Sequence, residues 1–219
     1  MRENIDLKKL EKKAYKSTFQ DGLWDIFIGF LFTQFAIAPF LSERGLGDFW
    51  SSAVFFPIYM IILAGVMLLK KYVVAPRIGM VQFSKKRKSK LKKLILMTNI
   101  FLVIGIIAGV FFVDLSNLNI KWLFPVSFSL ILLIGFSVAA NLLDMTRFYI
   151  YGAMNSLAVV AGELLYHFYG VSHHGFPLVF GITSSLMILV GIVLLINFIR
   201  KYPKPSEDLN VAGVGNGNR

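Results

Sequence analysis

"FQDGLWDIFIGFLFTQFAIAP", residues 19–39, sets two aspartates at the head of an otherwise apolar run. At 100° per residue, Asp21, Gly22, Asp25, Gly29, Phe32 and Ala36 share one face of a helix. An acidic face lined with small residues belongs against protein, because a charge facing lipid is costly and small residues let a neighbouring backbone approach. The run is also about 20 residues long, enough to cross hydrocarbon. It therefore reads as a transmembrane helix with neighbours. Asp21 suits the positive N-terminal end as a cap. Asp25 lies a turn deeper and needs a partner, for which Arg147 or Arg77 is the natural choice.

The composition extends this reading to the whole chain. Of 219 residues, 56% are hydrophobic and only 16% charged, where a soluble domain carries about 25% charged, and the mean hydropathy is +0.68. Segments of about 10 residues with alternating polarity, the mark of a membrane β-barrel, do not occur. The first apolar run follows a lysine-rich segment and lacks a small-residue cleavage site, so it reads as a retained helix. With no cysteine in the chain, disulfides, thiolate catalysis and cysteine-bound metals are excluded.

Apolar runs predict an all-α polytopic bundle of six transmembrane helices, at about 22–41, 52–72, 94–113, 122–143, 147–169 and 177–199. Around them lie an amphipathic segment over 1–20, a basic loop over 70–93 and a polar, Gly-rich tail over 203–219 that reads as disordered. Of the 23 Lys and Arg residues, all but Arg44 and Lys121 fall on one side of this arrangement. Basic flanks stay in the cytoplasm, which places both termini inside a plasma membrane. Trp50 and Trp122 then mark the outer interface and Trp24 the inner one.

The inner loop holds Lys85, Lys86, Arg87, Lys88, Lys90, Lys92 and Lys93. A cluster this dense attracts anionic headgroups at about 1 kcal/mol per charge, and it also serves as a topology anchor or a docking surface for a membrane partner. Its position beside the spans argues against nucleic acid. Phe56-Pro57, Phe124-Pro125 and Phe176-Pro177 each precede a basic residue one span later, at Arg77, Arg147 and Arg200. That pattern suggests three related hairpins, although Pro also suits any first helical turn. Pro57, falling inside its expected span, predicts a kink.

A second polar stripe occupies the expected fifth span and the loop after it, "AGELLYHFYGVSHHGFP" at 161–177. Gly152, Asn155, Ser156, Val159, Gly162, Glu163, Tyr166 and His167 share a face. Glu163 and His167, four apart, are neighbours on it. Two readings follow. Glu163 pairs with His167 or with a hydroxyl on another helix, or Glu163, His167, His173 and His174 bind zinc or a similar ion. The HExxH motif is absent.

P-loop, GxSxG and Rossmann signatures are absent too, so the sequence leans away from an enzyme and predicts no organic cofactor. Two function classes remain. One is a small transporter or channel component, with Asp25, Asn155, Glu163 and His167 as its intramembrane polar residues, acting as a homo-oligomer or beside another membrane protein. The other is a non-catalytic membrane partner, sensor or assembly factor. A metal-dependent enzyme using the outer histidines stands behind both.

Overall fold

The computed structural model describes residues 19–47, 50, 53–78, 89, 92, 93, 96 and 122–203. Among these residues, five helices are long and apolar enough to cross a membrane. They are α1 (Leu23–Glu43), α2 (Phe55–Arg77), α3 (Leu123–Leu143), α4 (Arg147–Tyr169) and α5 (Phe176–Lys201), the last approached through a 3-10 turn at His173–Gly175. The chain is a polytopic membrane protein with an all-α bundle.

Among the described residues, the expected count of six is corrected to five. The run at 94–113 that was to supply the additional span lies outside the described residues except for Leu96, which is exposed. Apolar length shows what a helix is able to cross, and the bundle that is described is built from the other five runs. The three-hairpin reading depended on six spans and falls with that count. What the Phe-Pro pairs share is simpler: Pro57, Pro125 and Pro177 all sit in the first turn of their helices, where a missing N–H costs nothing. Pro57 therefore ends up at a helix start, because α2 begins at Phe55 rather than 52. Residues 1–18 of the expected segment over 1–20, most of the lysine cluster and the tail from 204 also lie outside the described residues. Of the cluster, Lys92 and Lys93 are described, and they are exposed.

Neighbouring helices run antiparallel. α1 lies along α5, α4 lies between α3 and α5, and α2 lies against the outside of α1. Half of the apolar window of α4 is buried, 50% against 11% in α2, so α4 is the central helix and α2 a peripheral one. Phe32, Phe35 and Phe180 pack as tilted rings at the middle of the core with centroids 5.0–5.9 Å apart. Tyr59 fastens α2 by donating to the Leu31 carbonyl (3.1 Å) and to Gln34 Oε1 (2.9 Å). Beyond Leu69, α2 passes through a π-helical turn at Lys70–Val74 and closes on Ala75–Ile78, and Arg77 donates to the carbonyls of Ile199 and Tyr202. The part expected to open the basic loop is thus helical.

Asp21, Lys70, Arg147 and Tyr202 gather at one end of the bundle. Glu43, Trp122, Glu163 and His174 gather at the other. The described chain enters and leaves at the first end.

The α1–α5 seam depends on two glycines. Gly22 has φ 77°, and a Cβ there would run into the Gly191 carbonyl oxygen. A Cβ on Gly191 would lie 2.6 Å from Ile26 Cγ1 and 2.8 Å from the Gly22 oxygen. Small residues let backbones approach this closely, which is how helices associate where no hydrophobic force separates lipid from side chain. Gly191→Ala should therefore cost about 1–3 kcal/mol, the usual penalty for overpacking. Gly135→Ala, where a Cβ meets nothing within 4 Å, should cost nothing. Unfolding midpoints in detergent micelles compare the two, and equal midpoints would refute the close seam.

Candidate functional site

Five residues at four-residue spacing form a ridge along α4: Arg147, Tyr151, Asn155, Val159 and Glu163. Each step advances about 6 Å along the axis. The ridge faces α1 at its start and α5 further on, and every polar member has a partner there or in the turn that leads into α5.

Asp25 is the anchor. It is 0% exposed, and Arg147 grips it with both arms of the guanidinium, Nε to Oδ1 at 2.5 Å and Nη2 to Oδ2 at 2.7 Å. The Tyr151 hydroxyl adds a bond to Oδ1 at 2.8 Å. Arg147 Nη2 also donates to the Phe19 carbonyl. Bidentate pairing of this kind is the strong form of a charge-assisted hydrogen bond.

One turn on, the Asn155 amide donates to the Tyr151 carbonyl (2.8 Å) and contacts Met187 Sδ (3.4 Å), and its oxygen accepts from Thr183 at 3.2 Å. Beside it, Ser129 on α3 bonds Ser156, the hydroxyls 2.5 Å apart. Then polarity stops. Val159 and Phe180 are 0% exposed and separate Asn155 from Glu163.

At the far end, Glu163 Oε2 meets His174 Nδ1 at 2.8 Å. Two glycines make this pairing. The turn after α4 folds back so that Gly175, at φ 62°, lies on Gly162, and a Cβ on Gly162 would stand 2.6 Å from the His174 carbonyl oxygen. His173 and His174 are themselves left-handed, with φ 52° and 53°, a conformation that costs a non-glycine residue roughly 1–2 kcal/mol. Their two carboxylate partners hold the turn in place, since His173 reaches Glu43 at 2.8 Å.

A smaller cluster lies beside Asp25. Asp21, also 0% exposed, accepts from the Leu23 amide at 3.1 Å and forms an ion pair with Lys70 at 3.3 Å. Burial pushes its carboxyl above the usual carboxylate range, and Lys70 and the Leu23 amide pull the other way.

Asp25 thus meets Arg147, one of the two arginines the sequence offered. The four residues considered for metal binding are divided: Glu163 with His174, His173 with Glu43, and His167 exposed against the Trp122 ring. Among the described residues, no group of three or more His, Asp or Glu side chains is placed to hold a metal ion. Sequence reasoning missed Tyr151 and Lys70. Tyr151 was recoverable from its spacing, four after Arg147 and four before Asn155, whereas Lys70 read only as the basic end of a span. No protein-family model, curated protein or solved structure matches the chain.

Removing one partner from a buried ion pair leaves a naked charge, at a cost of about 3–5 kcal/mol. Arg147→Met should lose that much, and Tyr151→Phe only the ~1.5–3 kcal/mol of a bond to a charged group. Asp25→Asn/Arg147→Met should recover part of the loss. Denaturant unfolding in micelles reads all three, and equal losses in the two single variants would show that Arg147 is not what neutralises Asp25.

Proposed function

We propose that this membrane protein is a small transporter component that carries a proton or a small cation. One observation supports the reading above the others. A buried carboxylate sits at each end of one ridge of α4, Asp25 of α1 on Arg147 at one end and the ridge's own Glu163 with His174 at the other, and Val159 and Phe180 form a closed apolar step between them. Intramembrane acids that face a bundle interior commonly mark ion or proton routes. A route with an ionisable site near each end and a dry section between them suits alternating access, in which only one end is open at a time.

The end carrying Lys70, Lys71, Arg77, Arg147, Arg200 and Lys201 is the cytoplasmic one in this reading, by the bias of basic residues. Both termini then lie in the cytoplasm, and Lys85 to Lys93 meet anionic headgroups of a plasma membrane. So slender a bundle works as a homo-oligomer or beside a membrane partner.

Proteoliposomes with a pH-sensitive dye inside test the proposal under an imposed proton or sodium gradient. Wild type should collapse one of the gradients, and Glu163→Gln, which keeps the shape but cannot ionise, should slow the flux at least tenfold. Undiminished flux in Glu163→Gln, or none in wild type with either gradient, would sink it.

A further inference from the structure

The Asp21 cluster is built like a receptor for a cation. The Lys70 ammonium sits 5.2 Å from the centroid of the Phe19 ring and 5.3 Å from that of Trp24, with Asp21 Oδ2 at 3.3 Å. Two aromatic rings and a buried carboxylate around one nitrogen are the elements that recognise alkylammonium ions, the rings through their negative faces and the acid through its charge. The carboxylate is not saturated by the fold: Asp21 Oδ2 is buried, and among the described residues its partner is the Lys70 ammonium at 3.3 Å, an ion pair without a well-aligned hydrogen bond.

Lys70 differs from the cage walls. It comes from α2, the helix least embedded in the bundle, on a flexible four-carbon stem, and its side chain is 18% exposed. Its backbone begins the π-helical turn, a distortion frequent at functional sites. A side chain with this reach is able to leave the cage without unfolding it. Phe19 also links the cage to the neighbouring Asp25 pair, because its carbonyl accepts from Arg147, the partner of Asp25.

We propose that Phe19, Asp21 and Trp24 form a binding site for a small alkylammonium cation, and that Lys70 occupies the site in this conformation as a built-in stand-in. The ligand displaces Lys70 by taking its place on Asp21 and between the rings. That such a cation is also the transported species rests on the transporter reading; the binding site does not.

Wild-type protein in detergent is treated with an amine-reactive acylating reagent, and labelling at Lys70 is read by peptide mass spectrometry across a tetramethylammonium chloride series. Sodium chloride of equal ionic strength is the control. Lys70 labelling should rise at least fivefold and saturate with tetramethylammonium, while the neighbouring Lys71 stays constant. Trp24→Leu should lose the response. Lys70 labelling that follows ionic strength alone would overturn the proposal and leave Asp21 and Lys70 as a structural ion pair. A saturable response without any flux in vesicles would keep the site and remove the transport reading, whereas flux with a flat response would do the reverse.

Discussion

A carboxylate that water cannot reach has to be neutralised where it stands, and the end of the bundle at which α1 begins is organised by that requirement. Asp25 has no exposed surface, so its position is tolerable only because Arg147 and Tyr151 arrive together from the start of α4. This fixes which face of α4 turns toward α1. Once Arg147 and Tyr151 are committed, the next residues at the same spacing, Asn155 and Val159, must point into the core as well. Asn155 then needs Thr183, and that need sets how α5 lies against α4. A charge at one end thus propagates into helix rotation through the whole central layer.

Charge alone does not hold the helices together, because in lipid the apolar faces gain little by leaving the tails. Close backbone approach does the remainder. α1 and α5 meet glycine to glycine at Gly22 and Gly191, and the far end closes with Gly175 lying on Gly162. Two tight contacts therefore bracket the ridge, one beside each buried carboxylate. Between them, the tilted rings of Phe32, Phe35 and Phe180 add apolar packing. The charged groups thus lie at the two ends, and between them are neutral pairs, Asn155 with Thr183 and Ser129 with Ser156, and the apolar step of Val159 and Phe180.

Much of this was legible from residue order. Asp21, Gly22, Asp25, Gly29, Phe32 and Ala36 are all buried, as a shared helical face requires, because burial of an acidic and small-residue stripe follows from solvation energy and needs no knowledge of the partner. The α4 stripe is buried as far as Glu163, but Tyr166 and His167 are exposed, since the turn after α4 folds back only as far as Gly162. The partner of Glu163 was illegible for the same reason. Four-residue spacing favours His167, while His174 reaches Glu163 through three consecutive left-handed residues that periodicity cannot announce. Lys70 was hidden by a different effect. Hydropathy treats a lysine at the end of an apolar run as a boundary, and gives no sign that the helix continues or that the ammonium turns inward. The helix count failed where apolar length was the only information.

The π-helical turn in α2 also sets a phase. A π turn is in effect one residue inserted into an α-helix, and one residue is worth roughly 100° of rotation. Val66 is buried above it and Val74 at its close, and Arg77 reaches the end of α5 from below. With a regular α-helix in its place, the anchors below the turn would swing about a quarter-circle away from α5 while those above stayed in place. Position 70 is therefore where a single-residue deletion or insertion would re-index the last third of one helix against the bundle, so that the length of this segment, and not only its composition, is a determinant of how the peripheral helix is attached.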